Sequence, residues 1–305
     1  DNLDENLYLE FKKLKKLKSS CFIIISKSGE TIESVTNLNI LLSNFSLKSR
    51  IVFITEIKNS SMTSIANKLN AEIIEHKDFI GGRYSVLSEV GMFPAALMGL
   101  NIEKFKMLDK LINDKNFISS LIQNVACILT LSSKGSKNSV ILNYDSDLKE
   151  LSYWYQQLVS ESLGKKGKGI TTIIAEAPKD HHSVMQLYLD GPKDKFFTFI
   201  KSNYKNKGLN INSQIMKTES VDYLVDKKMG DLMHAEQEAT IDTFRLNDYK
   251  FREILIDIID EESIGILMAN SMIETIAACI YFDVDPFDQP AVEQGKILTK
   301  KYLSQ

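Results

Sequence analysis

The apolar positions along this chain change period again and again. Residues 21–25 (Cys-Phe-Ile-Ile-Ile) form a continuous apolar run that stops at Ser26-Lys27-Ser28-Gly29, and Ile32, Val35, Leu38 and Leu42 then recur at helical spacing. A buried strand, a tight turn and an amphipathic helix are therefore predicted in that order. Further strands are predicted over 50–55 and 71–75, with a helix over 60–69 capped by Ser60 or Ser61. Residues 3–18 read as a helix, 79–88 as a glycine-bearing turn, the stretch up to 98 as a helix, and 101–134 as helices with few breaks. A second alternating region follows, with strands over 139–144, 169–175, 195–201 and 251–258 and helices over 147–163, 183–189, 221–244 and 263–281. Residues 203–215 are polar and irregular, and the tail, 283–305, carries Pro286 and Pro290 before a final helix. Alternation at this spacing predicts parallel βαβ units: an α/β fold of two related subdomains with helix-covered sheets. Ligands of such sheets sit beyond the C-terminal strand ends, where Ser26 to Thr31 falls.

Composition adds mainly exclusions. The 305 residues are 44% hydrophobic and 25% charged, with a net charge of −3, so no general attraction to nucleic acid or to an anionic membrane is expected. No uncharged apolar run reaches the ~18 residues of a membrane span, and no charged-then-apolar leader opens the chain. Cys21, Cys127 and Cys279 lie in apolar surroundings without a CxxC pair, so buried thiols in a reducing, cytoplasmic compartment are expected.

Several residues could carry chemistry. At 26–31 the backbone N–H groups at the start of a helix favour an anion, Gly29 lets the backbone approach a ligand, Ser26, Ser28 and Thr31 supply hydroxyls, and Lys27 adds positive charge. A phosphate monoester fits such a turn; a plain helix cap at Ser28 is the rival role. Gly81-Gly82 precedes Arg83, which could equally be a surface turn residue. In the helix 147–163, Leu148, Leu151, Tyr155, Leu158 and Ser162 share a buried face, while Gln157 and Glu161 share another, one turn apart. Glu161 lies near the helix C-terminus, where the dipole disfavours a carboxylate, and a raised pKa there would suit a general base. The alternative is an exposed Glu balanced by Lys165 and Lys166. His181 and His182 lie between a strand and a helix, where a histidine works as acid or base near neutral pH. Asp180, His181 and His182 are adjacent and converge poorly on one ion, so no metal site is expected. His76 and His234 read as structural or exposed. Lys296 shares a helix face with Val292, Gly295, Thr299 and Leu303, and is either snorkelling or functional.

Five segments occur in one order: Ser26-Lys-Ser-Gly-Glu-Thr31, Gly81-Gly-Arg-Tyr-Ser85, Gln156-Gln-Leu-Val-Ser-Glu-Ser-Leu-Gly-Lys165, His181-His-Ser-Val-Met-Gln-Leu-Tyr-Leu-Asp-Gly-Pro192 and Pro286-Phe-Asp-Gln-Pro-Ala-Val-Glu-Gln-Gly-Lys296. Together they resemble the signature segments of the glucose-6-phosphate isomerase family in its bacterial form. The first also resembles other sugar isomerase (SIS) domains; the second, third and fifth together are specific. The resemblance implies two SIS-type subdomains with parallel-sheet αβα layers, 1–100 and 101–282, and a tail helix within 283–305. It implies a glycolytic and gluconeogenic aldose–ketose isomerase, cytoplasmic, free of metal and organic cofactor. Glu161 would move the proton between C1 and C2 through a cis-enediol, and Arg83 would stabilise the enediolate oxygen. His182 and Lys296 would open the sugar ring. Ser26, Lys27, Ser28 and Thr31 would bind the phosphate, and Gln157 and Gln289 would contact substrate. In the family the histidine reaches the neighbouring subunit's site, so a homodimer is implied. A non-catalytic SIS-type sugar-phosphate sensor and a bifunctional glucose/mannose 6-phosphate isomerase are the rival functions.

One departure stands out. The family carries a Gly-Ile-Gly-Gly-Ser type strand-to-helix turn ahead of this region, and the chain begins at Asp1 without it. A missing N-terminal segment is therefore expected, and with it a central strand of the first sheet and one wall of the sugar-phosphate site. A smaller departure is Leu163, where many relatives carry a polar residue.

Overall fold

The computed structural model describes residues 3–11, 13, 20–44, 50–212 and 221–305. They divide into two compact units, Asp1–Lys106 and Met107–Gln305.

In the first unit, α1 (Glu5–Phe11) precedes β1 (Cys21–Ile25), α2 (Ile32–Asn44), β2 (Arg50–Thr55), α3 (Ser61–Lys68) and β3 (Glu72–Glu75). The strands form a parallel sheet in the order β1-β2-β3, with Ile23 opposite Val52 and Ile54 opposite Ile74. Val52, Phe53, Ile54 and Thr55 are all buried, as a strand covered on both faces requires. Leu38 of α2 and Met62 and Ala66 of α3 close over Phe53. The expected burial of β1 is only partial, and Cys21 at its start is exposed, because among the described residues β1 lies at the edge of this sheet. A 3-10 turn (Gly82–Leu87) and α4 (Glu89–Leu97) follow. Ser85 lies inside that turn, its hydroxyl donating to the Gly82 carbonyl at 2.7 Å, and does not cap α4.

The second unit opens with α5 (Leu108–Ile112) and α6 (Lys115–Ser133) and continues through β4 (Asn138–Asn143), α7 (Lys149–Leu163), β5 (Thr171–Glu176) and α8 (Met185–Asp190). It ends with β6 (Lys195–Ser202), α9 (Met229–Leu246), β7 (Phe251–Ile256), α10 (Glu261–Phe282) and α11 (Glu293–Leu303). The sheet is parallel, in the order β5-β4-β6-β7. Period-two alternation sorts its two faces. Val140, Leu142, Phe197 and Phe199 face α8 and α9 through Tyr188, Ile241 and Phe244. Ile141 and Ile200 face α7 and α10 through Leu148, Leu151, Ile264 and Leu267. A further cluster joins Leu121, Val125 and Leu129 of α6 to Val159 and Leu163 of α7 and to Ala278 and Cys279 of α10.

Two expectations change here: the start of the helix placed at 221–244 and the burial of Cys127. The helix over 3–18 is described only as Glu5–Phe11; residues 12 and 14–19 lie outside the described residues, as do 213–215 of the irregular stretch. The helix placed at 221–244 starts at Met229, because the Asp231 carboxylate accepts from the N–H groups of Lys228 and Asn206, each at 2.8 Å, and fixes its first turn there. Of the thiols, Cys279 is buried, but Cys127 is exposed in an apolar cleft of about 510 Å³ with Ile128, Leu131, Phe196, Tyr249 and Phe251. Two helices, α6 and α10, are long and apolar enough to cross a membrane by length and composition. Each packs into the core of this unit, and α10 carries the buried Glu274.

Candidate active site

In the first unit the turn after β1 is built against the start of α3. Gly29 adopts φ +68, and a Cβ there would lie 2.3 Å from the Ser60 hydroxyl, so only glycine fits. Ser60 caps α3 by accepting from the Thr63 N–H, while the Glu30 carboxylate takes the Ser61 N–H at 2.6 Å and the Ser61 hydroxyl at 2.8 Å. Ser26 and Thr31 share a hydroxyl hydrogen bond of 2.8 Å. Ser28 accepts from the Glu30 N–H at 3.2 Å, a local turn bond and not the helix cap weighed above. Ser26 is buried, Ser28 half-buried and Thr31 exposed. The Lys27 ammonium donates to the Asp78 carbonyl at 2.7 Å and lies 3.8 Å from Glu56, so its charge is partly spent within the turn.

Arg83 is buried, with its guanidinium 5.5 Å from the Tyr84 ring centroid. That removes the surface-turn alternative. The preceding backbone is open, since a Cβ on Gly82 would meet nothing within 4 Å.

In the second unit Gln157 and Glu161 stand one turn apart on α7, as predicted, and the Gln157 amide donates to Glu161 Oε1 at 3.0 Å. The helix buries Leu148, Leu158 and Ser162 of the predicted face, with Ser152, Val159 and Leu163 added; Leu151 and Tyr155 are half-buried. His182 ends a 3-10 turn, Lys179–His182, and is exposed. Its neighbour His181 is half-buried, with Nε2 2.7 Å from the Tyr144 hydroxyl. Burial lowers the His181 pKa, the His182 charge lowers it further, and Asp180 only partly opposes them. The Asp180 carboxylate accepts from the Glu176 N–H at 2.8 Å and the Ser183 hydroxyl at 3.1 Å, so it pins this turn. Among the described residues no group of three or more His, Cys, Asp and Glu is placed to hold a metal ion.

Glu161 and His182 are not brought together within the unit. As the crossover between parallel strands, α7 runs back toward the strand starts. Its Gln156 amide donates to the Thr172 carbonyl at 2.7 Å, and Leu163 packs with Ile170 just ahead of β5. His182 lies beyond the other end of β5, a six-residue strand spanning about 20 Å. Gln289 and Lys296 are exposed, and Lys296 pairs with Glu293 at 2.6 Å. The packed face expected for Lys296 is not observed, because no residue of α11 is buried. Sequence reasoning missed three features of the site: the Glu30–Ser61 bridge, the Tyr144–His181 pair and the contacts of Lys165. Only Lys165 left a signal, as one of three lysines in residues 164–169 and as the end of the segment Gln156 to Lys165, but nothing there points to the tail.

The parallel, helix-covered sheets, with an anion-suited turn after one strand, are those of an α/β protein that holds its ligand at the strand ends. Among solved structures, a hypothetical protein of Thermus thermophilus superimposes with a TM-score of 0.89 at 26% identity, covering 100% of this chain and 76% of that one. A glucose-6-phosphate isomerase from Chlamydia trachomatis shares the fold, with a TM-score of 0.74 at 18% identity over 99% of this chain and 63% of that one. In sequence, the glucose-6-phosphate isomerase of Methanocaldococcus jannaschii is 30% identical, over 100% of this chain and 77% of its own length. The family described as phosphoglucose isomerase matches residues 2–305. The chain belongs to the phosphoglucose isomerase family.

Proposed function

We propose that the chain interconverts D-glucose 6-phosphate and D-fructose 6-phosphate, as a cytoplasmic enzyme of glycolysis and gluconeogenesis. The observation that carries this reading is the extent of the family match: it runs from residue 2 to residue 305 and takes in every candidate residue from Ser26 to Lys296. Ser26, Ser28, Thr31 and the backbone of their turn hold the phosphate, and Lys27 contributes its charge. Anchoring at a group remote from the reacting carbons supplies binding energy that orients C1 and C2. His182 and Lys296 open the ring. Glu161, steadied by the Gln157 amide, takes the proton from one carbon and returns it to the other through a cis-enediol. Arg83 stabilises the enediolate oxygen with a charge already fixed in place by burial. Gln157 and Gln289 contact the sugar.

The active form in this reading is a homodimer in which His182 serves the partner's Glu161. The separation of those two residues to opposite ends of β5 supports it. A coupled assay of fructose 6-phosphate isomerisation tests both points. Glu161→Gln should abolish turnover while sugar-phosphate binding persists. Turnover that survives this change sinks the base assignment, and a folded wild-type chain that binds without turnover favours the sensor reading. Parallel turnover of mannose 6-phosphate would extend the substrate range. Mixing Glu161→Gln with His182→Gln chains should restore about a quarter of the wild-type rate, because random pairing gives half hybrids with one intact site each. No recovery on mixing overturns the shared site.

A further inference from the structure

We propose that Lys165 is a positioning residue that holds the tail turn bearing Gln289, and through it α11 with Lys296, against the end of α7 that carries Glu161. The inference rests on the isomerase reading above, because it concerns how that reaction's groups are gathered. It starts from burial. Lys165 lies in the loop just beyond α7, where a lysine is ordinarily in solvent, yet its side chain is only 9% exposed. Its ammonium donates to the Asp285 carbonyl and pairs with Asp288 Oδ1 at 2.6 Å. The Asp285 carboxylate in turn accepts from the Phe287 N–H at 2.8 Å, closing the chain into a turn immediately before Gln289. One desolvated cation thus gathers both ends of residues 285–288, four residues from Glu161 in sequence.

The rest of the loop leads to the same place. Lys166 donates to the Asp283 carbonyl at 2.8 Å and Lys168 to the Phe282 carbonyl at 2.5 Å, at the C-terminus of α10 where cations are favoured. Gly169 returns the loop to β5 at φ +138, where a Cβ would meet Gly164 Cα at 3.1 Å. Lys166 is 65% exposed, so its bond is open to water. Val284 is the last buried residue of the chain; after it Pro286 is half-buried and every other residue is exposed. Beyond Val284, the tail is tied back at its start by the Lys165 contacts.

The test uses the full chain with Lys165→Met, Lys165→Arg and Lys166→Met. Hydrogen exchange across 286–303 should accelerate about tenfold or more in Lys165→Met, with α7 and the strands unchanged, and should stay near wild type in Lys166→Met. The kcat for fructose 6-phosphate should fall about 10- to 100-fold in Lys165→Met with KM within about threefold, because misplaced groups cost rate while the phosphate turn is untouched. Lys165→Arg, which keeps the cation, should recover part of both. Unchanged exchange in 286–303 overturns the clamp. Accelerated exchange with unchanged kcat overturns the positioning role. An inactive wild-type chain counts against the isomerase reading, and the exchange data then still decide whether Lys165 holds the tail.

Discussion

Single atoms decide the phosphate turn. Gly29 has the left-handed backbone that a Cβ disfavours, and its missing Cβ leaves room for the Ser60 hydroxyl that caps α3. Gly29→Ala therefore combines a left-handed alanine, about 1–2 kcal/mol, with displacement of a cap worth about 1 kcal/mol. The expected outcome is a first unit destabilised by about 2–3 kcal/mol in urea unfolding, together with weaker binding of fructose 6-phosphate by calorimetry. An unchanged unfolding midpoint would mean that Ser60 moves aside without loss. A special role for Gly29 was legible in the sequence, but as room for a ligand; its close neighbour in the structure is the Ser60 hydroxyl, which no local pattern announces. The Gln157–Glu161 pair was legible too, from helical spacing alone. The burial of Arg83 was not, since nothing in two glycines and an arginine tells a buried turn from an exposed one. The Lys165 clamp was equally hidden, because it joins residues more than a hundred positions apart.

At the scale of elements, the strand bounds were legible where the apolar run was short and flanked by polar residues: β1 and β2 match the prediction residue for residue. Helix starts were harder. The first turn of α9 is set by Asp231 reaching Asn206, a contact across a loop, and no local pattern announces it. The Glu274 network is another long-range device. Arg252 of β7 donates to both Glu274 oxygens and to the Tyr155 hydroxyl, and Tyr155 and Asn124 also donate to Glu274, so one carboxylate on α10 ties β7, α6 and α7 together. Burial alone would raise the Glu274 pKa, but the Arg252 charge and the hydrogen bonds from Arg252, Tyr155 and Asn124 outweigh it and hold the pKa below its ordinary value of 4.5. A depressed carboxylate stabilises the fold fully above its unfolded-state pKa, and that contribution is lost as the pH falls through the lower folded value. Glu274→Gln leaves the Arg252 charge without its counter-ion, at a cost of about 3–5 kcal/mol near neutral pH, or roughly 6 °C or more in Tm for a unit of this size. The variant should also show a shallower loss of stability below about pH 4.5, since it lacks the group that titrates there. Thermal scans at pH 7 and pH 4 check both, and a variant that tracks wild type in acid would show that other carboxylates dominate.

At the scale of the whole chain, the two units differ in how much apolar surface they close. In the first, the described core cluster is Leu38, Phe53, Met62 and Ala66 with partly buried neighbours, and among the described residues β1 pairs with β2 alone. In the second, clusters on both sheet faces and between α6, α7 and α10 bury Val140, Leu142, Phe197, Phe199, Ile241 and Phe244 almost completely. Stability follows the area closed, and local opening follows the weakest part of it. Native-state hydrogen exchange should therefore find β1 and α2 opening at lower free energy than β4 and β6. The proposed phosphate turn lies in the unit that opens first, so a ligand bound there should stabilise that opening step directly. Fructose 6-phosphate at about a hundred times its Kd should raise the opening free energy of β1 and α2 by about 2.7 kcal/mol. Equal opening energies for β1 and β4 would mean that the chain opens as one unit. Ligand protection confined to the second unit would move the phosphate site away from Ser26 to Thr31.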